Sequence, residues 1–348
     1  MVVMADKSVP TSDHIRDIIS FVEASPTSYH AVAELTRRLE QAGFQRLEET
    51  ESWPSVEGRR YVVRDGAVIA WITPEKVTPQ LGARIVGSHT DSPSFKLKPN
   101  ATVTNQGWQQ VGMEVYGGGL LNSWLDRDLG LSGRLVTCDG QAHLVRTGPI
   151  LRISQLAPHL DRTVNDDLKL DRQRHLMPIL SVGKPDLDVE DLLCEAAGIK
   201  RDELAFHDVF AHLTQSPAVI GPYGEFLASQ RMDNLSSVHS LVAAFVDVKP
   251  TSDVAVMACF DHEEVGSATR SGACGPFLED VLVRIAEGFG MTGAAYRAMI
   301  AKSSCVSSDA GHGVHPNYVE KFDPANHPLL NEGPLPVSYT HLTLPTKR

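Results

Sequence analysis

Seven consecutive apolar residues, Val254–Phe260, are followed at once by the ionisable run Asp261-His262-Glu263-Glu264. An apolar run of this length with charged residues at its end is typical of a strand that is buried on both faces of an α/β sheet. Open α/β sheets build their binding sites at the carboxyl ends of their strands. The sequence therefore predicts a central strand that carries acidic side chains into a functional site.

Three other segments place ionisable side chains where elements begin or end. His89 and Asp91 follow a short strand-like run that starts at Arg84. Asp233 opens a predicted helix, and Asp309 follows two serines. Taken singly, each has a structural explanation as a strand end, a helix N-cap or a turn. Taken together they indicate a metal site, because buried carboxylates repel one another unless a cation lies between them.

The candidate ligands are a mixture of imidazole nitrogen and carboxylate oxygen. This mixture suits zinc, whereas an all-oxygen set would indicate magnesium or calcium. Two ions about 3.5–4 Å apart can share one carboxylate and together polarise a scissile carbonyl. The pattern therefore favours a two-metal hydrolytic centre.

Local patterns predict the elements that precede this centre. Thr11 or Ser12 can cap a first helix whose apolar residues recur at helical spacing, and a second helix is predicted from Tyr29 to Gln41. Asp65-Gly66 separates two strand-like runs, and it predicts a hairpin because Asp-Gly supplies the positive φ of a tight turn.

Between about Lys98 and Pro222 the sequence pattern changes to short β-like runs separated by glycine turns. After Pro222 the alternation of helix-like and strand-like segments returns. The middle segment is therefore predicted to be a separate domain inserted into the first. The predicted divisions are residues 1–97 and 223–334 for the two parts of a catalytic domain, 98–222 for the β-rich insert, and 335–348 for a non-native tail.

Composition argues against several classes of function. The net charge is −11 and the basic residues form no run, which disfavours a nucleic-acid partner. No apolar run reaches the roughly 18 residues that a membrane span needs, so no membrane partner is expected. Five dispersed cysteines without a C-x-x-C pair indicate reduced thiols and a cytoplasmic protein rather than a disulfide framework.

Several longer motifs carry a resemblance to a known family. They are Ser25-Pro-Thr-Ser-Tyr-His30, His89-Thr-Asp91-Ser-Pro, Ser123-Trp-Leu-Asp-Arg-Asp-Leu129, Met232-Asp-Asn-Leu, Asp261-His-Glu-Glu-Val-Gly-Ser and His315-Pro-Asn-Tyr. With these motifs the chain resembles the aspartyl aminopeptidase family of two-zinc metallopeptidases. The resemblance runs from about Ile18 to about Pro334, and the combination of motifs is highly specific.

The resemblance implies four metal ligands and one residue that orients a ligand. His89 and Asp309 would bind the first zinc ion, and Asp233 would bridge both ions. Glu264 would bind the second ion. Asp91 would hold the imidazole of His89 and fix its tautomer.

The resemblance also implies catalytic and assembly roles. Glu263 would act as the general base that takes a proton from the attacking water and returns it to the leaving amine. His159 would reach the active site of a neighbouring subunit and contact the substrate there. Family members assemble through the insert into dimers and up to a dodecamer. We therefore expect a homo-oligomer that acts on peptides, preferably those with N-terminal Asp or Glu.

The fold implied is α/β, with a three-layer catalytic domain around a central mixed sheet, interrupted by a β-rich inserted dimerisation domain. After Pro334 the chain departs from the family pattern, and residues 335–348 show no helical period. We therefore expect that the last zinc-binding histidine is missing and that this chain is inactive as written.

Two other functions are compatible with the same residues. A two-zinc amidohydrolase or deacylase of other specificity would use the same ligands, although the insert argues against it. A non-catalytic subunit would assemble through its insert without turnover. A comparison of substrates separates the first alternative from an aminopeptidase, and metal analysis separates the second.

Overall fold

The computed structural model describes residues 12–78, 81–184 and 186–337. Thr11 and most of the predicted tail lie outside the described residues. The helices are Asp13–Ala24 (α1), Ser28–Gln41 (α2), Val189–Ala197 (α3), Met232–Phe245 (α4), Phe277–Gly288 (α5) and Ala294–Lys302 (α6). In this part of the chain, none of the helices has the length and apolar character needed to cross a membrane.

The strands form two large sheets and one separate hairpin. The first eight strands are Gln45–Arg46 (β1), Arg59–Arg64 (β2), Ala67–Ile72 (β3), Ala83–His89 (β4), Ser94–Asn105 (β5), Trp108–Tyr116 (β6), Asp128–Thr137 (β7) and Ala142–Arg146 (β8). The others are Leu151–Arg152 (β9), Ile179–Val182 (β10), Leu204–Leu213 (β11), Ala218–Ile220 (β12), Phe226–Ala228 (β13), Val254–Phe260 (β14) and Ser304–Ser307 (β15).

The strand predicted at the centre of the fold, β14, lies inside a six-stranded sheet with the order β1-β2-β3-β14-β4-β15. It runs antiparallel to β3 and parallel to β4, in a register that pairs Phe260 with His89. β15 runs parallel to the other side of β4 and pairs Ser307 with Gly87. The carboxyl ends of three neighbouring strands therefore meet at one edge of the sheet, which is where such sheets place their sites.

Helices cover both faces of this central sheet. Alternate residues of β14 point to opposite faces. Met257 and Cys259 join the buried core beneath α1, α2 and α4, whereas Val256 and Ala258 join the core beneath α5. This arrangement confirms the predicted three-layer α/β architecture. It also explains why β14 is apolar at odd and even positions alike, since both of its faces are buried.

The predicted helices and hairpin are present, with one difference in the hairpin. Ser12 caps α1 by accepting a hydrogen bond from the backbone N–H of Ile15, at 3.3 Å. In the turn between β2 and β3 the positive φ falls on Asp65, at 55°, and not on Gly66. Gly66 is needed for a different reason, because a Cβ atom there would overlap the carboxylate of Asp261. The glycine lets the turn lie against a buried residue next to the site.

The residues between β4 and α4 form the second sheet, which has its own buried core. Its seven strands follow the order β11-β5-β6-β10-β9-β7-β8, and β11 also pairs with β7, so the sheet closes into a barrel. The predicted β-rich insert is therefore confirmed as a barrel-like sheet. β5 begins at Ser94 and the β12–β13 hairpin spans residues 218–228, so the divisions drawn at 98 and 222 each fall within an element.

A largely buried polar network joins the barrel to the central domain. The hydroxyl of Tyr29, on α2, donates a hydrogen bond to the carboxylate of Asp208, on β11. The guanidinium of Arg134, on β7, lies 4.4 Å from the centre of the Tyr29 ring and 3.0 Å from the carboxylate of Asp65. Lys96, on β5, pairs with Asp208 at 2.7 Å. These polar contacts are strong because little water competes for them, and they hold the two sheets together.

Tyr29→Phe is expected to lower the free energy of unfolding by about 1–3 kcal/mol, because it removes a buried hydrogen bond to a charged acceptor. Chemical denaturation measures the difference from the parent. Tyr223→Phe is the control, since Tyr223 is 68% exposed and its change should cost less than about 0.5 kcal/mol. Equal stability of Tyr29→Phe and the parent would contradict the role given to this junction.

Candidate metal centre

Three of the four predicted metal ligands meet at the edge of the central sheet. His89 is the last residue of β4, and Asp309 lies two residues beyond the end of β15. Asp233 lies in the first turn of α4, which begins at the same edge. These residues are far apart in the sequence, and they meet because β4 and β15 run parallel and end together.

The Nε2 atom of His89 lies at the centre of this group. It is 3.2 Å from Oδ1 of Asp233, 3.4 Å from Oδ1 of Asp309 and 4.0 Å from Oε2 of Glu263. One ligand atom from each of His89, Asp233 and Asp309 lies within 4.8 Å of the other two, so a single ion can contact all three. In the described part of the chain this is the only group of three or more such side chains.

The carboxylate of Asp91 organises the other side of the histidine. Its Oδ1 lies 3.3 Å from Nδ1 of His89 and accepts a hydrogen bond from the backbone N–H of Glu263, at 3.1 Å. Its Oδ2 accepts hydrogen bonds from the backbone N–H of Glu264, at 3.1 Å, and from the hydroxyl of Tyr116, at 2.7 Å. The backbone carbonyl of Asp91 lies 3.1 Å from the same Nδ1 atom, so the carboxylate and the carbonyl of Asp91 together orient the imidazole of His89.

The charges of the site shift the pKa values of its members. Burial opposes protonation of His89, but Asp233 and Asp91 outweigh burial and raise the pKa of His89 to about 11. Burial would raise the pKa of Asp91, yet the hydrogen bonds it accepts hold that pKa below its ordinary value. Burial, with the nearby charge of Asp91, raises the pKa of Glu264 to about 7. Acidic groups therefore crowd around one imidazole, and a divalent cation would relieve their repulsion.

Three residues to which the sequence pattern gave no role support the site. Asn234 is fully buried and donates a hydrogen bond to the backbone carbonyl of Ser308, at 3.1 Å, which ties α4 to the chain beyond β15. Ser92 donates to the backbone carbonyl of Asp233, at 2.7 Å. Tyr116 is the third. Adjacency to predicted ligands could have drawn attention to Asn234 and Ser92, whereas nothing in the local sequence marks Tyr116.

Glu264 lies outside the group around His89 and against the barrel. Its Oε2 atom is 3.5 Å from the backbone nitrogen of Gly118, just beyond β6. A Cβ atom on Gly117 would lie 2.7 Å from the same oxygen, and Gly117 has a φ of +77°. Gly118 has neither constraint. The turn after β6 can approach Glu264 closely because its first residue is glycine.

His159 lies in an exposed turn of the barrel and is not part of the group around His89. A hydrogen bond from the backbone N–H of Leu160 to the carbonyl of Ala157, at 2.9 Å, closes this turn. The role predicted for His159 requires a second subunit, so it stays a prediction.

A cavity of about 380 Å³ opens beside the site, between the central domain and the barrel. Asp91 and Asp233 line one part of it, and most of the remaining wall is apolar. The apolar lining includes Leu120, Trp124, Phe210, Leu213 and Met232. Arg231 adds a cation, which donates a hydrogen bond to the backbone carbonyl of Val22, at 2.9 Å. Burial lowers the pKa of Arg231 to about 10, so the guanidinium remains charged at neutral pH.

The residues present fit a zinc ion. One imidazole nitrogen and two carboxylate oxygens make a donor set that zinc accepts. Asp91 holds the Nδ1 side of His89, so Nε2 faces the two other carboxylates. Asp233, which can be shared, and Glu264 are the candidates for a second ion.

Several known proteins are similar to this chain over most of its length. The sequence model of the family described as Aminopeptidase I zinc metalloprotease (M18) matches residues 21–346. A protein of Streptomyces coelicolor named Probable M18 family aminopeptidase 2 is 46% identical over 330 residues, which cover 92% of this chain and 76% of that protein.

Solved structures show the same likeness. The mApe1 protein of Chaetomium thermophilum has a TM-score of 0.84 and 27% identity, over 91% of this chain and 79% of that one. The mApe1 dodecamer of S. cerevisiae has a TM-score of 0.80 and 26% identity, over 92% of this chain and 76% of that one. The likeness therefore extends over both the central domain and the barrel.

Gly117→Ala is expected to lower the free energy of unfolding by about 1–3 kcal/mol, because a non-glycine residue is strained at positive φ and the new methyl group would press on Glu264. Gly118→Ala is the matched control, since its methyl group would meet open space. Denaturant titration compares both variants with the parent. If the two alanine variants were equally stable, the close approach of this turn to Glu264 would be refuted.

Proposed function

The chain belongs to the M18 family of zinc metallo-aminopeptidases, and from that premise we propose that it removes the N-terminal residue from peptides, with a preference for Asp or Glu. The observation that carries the proposal is the group of His89, Asp233 and Asp309 around a point that one ion can occupy. Glu263, 4.0 Å from the same imidazole, supplies a candidate base at that point.

Two zinc ions are proposed at this centre. His89 and Asp309 are assigned to the first ion, Glu264 to the second, and Asp233 to both. Zinc, when bound, polarises a scissile carbonyl and makes water more acidic. The assignment is supported by the donor set and by the crowding of carboxylates, which in the absence of a cation would repel one another.

Glu263 is proposed as the general base. Its backbone N–H is fixed by Asp91, while its side chain is 43% exposed and therefore open to water and substrate. Burial raises its pKa, which brings the carboxylate nearer to the pH at which a base both accepts and returns a proton efficiently. Glu263 takes a proton from the attacking water and returns it to the leaving amine of the peptide.

The preference for acidic residues is proposed to arise in the cavity beside the metal centre. When the N-terminal residue of a substrate is bound at the metal centre, its side chain can enter this cavity, because Asp91 and Asp233 line the cavity next to that centre. Arg231 is the cation available there, and among the described residues its hydrogen bonds go to uncharged oxygens. A substrate carboxylate would pair with this guanidinium in a largely apolar wall, where such a contact is strong.

The two ions are proposed to differ in affinity. Among the described residues, His89, Asp233 and Asp309 form one group that supports the first assignment, whereas only Asp233 and Glu264 are assigned to the second ion. A site with fewer ligands and no imidazole holds zinc more weakly. We therefore propose that this chain is inactive as written unless zinc is supplied in excess.

The barrel is proposed to mediate assembly into homo-oligomers, from a dimer up to a dodecamer. The dodecamer of S. cerevisiae mApe1 supports this, because it shares the fold over most of the chain. In such an assembly the exposed His159 is proposed to contact substrate bound to a neighbouring subunit. A cytoplasmic location is proposed because all five cysteines are free.

With excess zinc, the protein is expected to release aniline from aspartyl and glutamyl anilides but not from their N-acetylated forms. Glu263→Gln is expected to lower kcat by about 10²–10⁴-fold, which is the usual contribution of positioned acid–base catalysis. Glu287→Gln, a change at an exposed position of α5, should leave kcat unchanged. Steady-state kinetics and zinc analysis of each protein provide the measurement.

Two outcomes of that experiment would replace the proposed function. Release of acetate, rather than aniline, from the acetylated anilides would indicate a deacylase. Assembly of the chain without any zinc binding would indicate a non-catalytic subunit.

Aspartyl hydroxamate is expected to bind the zinc-loaded protein about tenfold more tightly than leucyl hydroxamate, since a charged hydrogen bond contributes on this scale. Arg231→Gln should remove the difference, whereas Arg297→Gln, at an exposed position of α6, should preserve it. Isothermal titration calorimetry measures the six affinities, two for the parent and two for each variant. Equal binding of both hydroxamates to the parent would rule out the acidic preference and leave the aminopeptidase assignment standing.

A further inference from the structure

We propose that the hydroxyl of Tyr116 is a positioning group of the metal centre, supplied by the barrel. Tyr116 is the last residue of β6, whereas His89, Asp233, Glu264 and Asp309 all come from the central domain. The inference rests on the metal assignments of the proposed function. It adds that the inserted sheet takes part in holding the ligands, in addition to any role in assembly.

The contact itself is short and buried. The Tyr116 hydroxyl donates a hydrogen bond to Oδ2 of Asp91 at 2.7 Å, and Tyr116 is only 8% exposed. Burial raises the pKa of Tyr116, so the hydroxyl keeps its proton and remains a donor. A buried donor next to a carboxylate has few alternative partners, which makes the contact directional and persistent.

Asp91 transmits this contact to the histidine. Its two oxygens are held from both sides: Oδ1 faces Nδ1 of His89 and the backbone N–H of Glu263, and Oδ2 faces the backbone N–H of Glu264 and the tyrosine. Without the hydroxyl, Oδ2 would keep one of its two donors. The carboxylate would then be held by the two backbone N–H groups alone. The contact of its Oδ1 with His89, which supplements the 3.1 Å contact of Nδ1 with the backbone carbonyl of Asp91, would weaken.

The ring of Tyr116 is anchored within the barrel. It packs edge-on against Phe210, on β11, at 5.1 Å between ring centres, and both rings belong to a buried cluster with Tyr29. The next residue, Gly117, is the one that approaches Glu264. One turn of the barrel therefore contacts the carboxylate that holds His89 and also the ligand proposed for the second ion.

Tyr116→Phe tests the inference because it removes the hydroxyl and keeps the ring. Zinc affinity, measured in the full chain by competition with a chromogenic chelator, is expected to fall about tenfold, the lower end of the range for loss of a partner that orients a ligand. Tyr29→Phe is the matched control. It removes a hydroxyl from the same aromatic cluster, but that hydroxyl contacts Asp208 and not Asp91, so zinc affinity should stay within twofold of the parent.

A double-mutant cycle separates positioning from general loosening of the structure. If Tyr116 acts through Asp91, then Tyr116→Phe should weaken zinc binding in the parent and have no further effect in the Asp91→Asn background. An unchanged zinc affinity for Tyr116→Phe, an equal loss for Tyr29→Phe, or an additive loss in the Asp91→Asn background would each overturn the inference. A parent chain that binds no zinc would overturn the proposed function and this inference together, whereas a parent that binds zinc with Tyr116→Phe unaffected would overturn the inference alone.

Discussion

The buried carboxylate of Asp91 is the group on which the geometry of the site depends. It faces an imidazole, two backbone N–H groups and a tyrosine hydroxyl, and these donors come from β4, from the chain after β14 and from the barrel. A carboxylate that is 5% exposed is stable only when such donors replace its water. Because its partners must converge on two oxygen atoms, the need to satisfy one charge fixes the relative positions of three segments.

Excess negative charge around His89 is the second constraint on the structure, and a bound cation would offset it. His89 is the one imidazole in a group that contains Asp233 and Asp309, with Glu263 close by. Burial opposes protonation of His89, but Asp233, Asp91 and Asp309 raise its pKa to about 11, so a proton on the imidazole compensates part of the negative charge. A divalent ion at Nε2 would take over that compensation, and binding would release the proton.

The topology of the central sheet brings these groups together, and the barrel completes their surroundings. Because β14 and β15 both run parallel to β4, the segments that follow these three strands all leave the same edge of the central sheet. The barrel then closes over that edge, where Tyr116 and Gly117 contact Asp91 and Glu264, and the cavity with Arg231 opens between the two units. The insert, for which a role in assembly is proposed, is therefore also part of the wall and the support of the proposed active site.

The central strand, the three-layer architecture, the presence of a β-rich insert and the residues that meet at His89 could all be predicted from the sequence. Burial on both faces requires an unbroken apolar run, and side chains that bind an ion are conspicuous next to such a run. Tertiary structure alone decided that Tyr116 reaches Asp91, that Asn234 ties α4 to Ser308, that Gly66 makes room for Asp261, and that Arg231 enters the cavity. Local periodicity reports which face of an element is buried. The contacts of Tyr116 and Arg231 depend on how the two sheets are oriented relative to each other, and those of Asn234 and Gly66 depend on which elements end at the same edge of the central sheet. No short-range pattern encodes either arrangement.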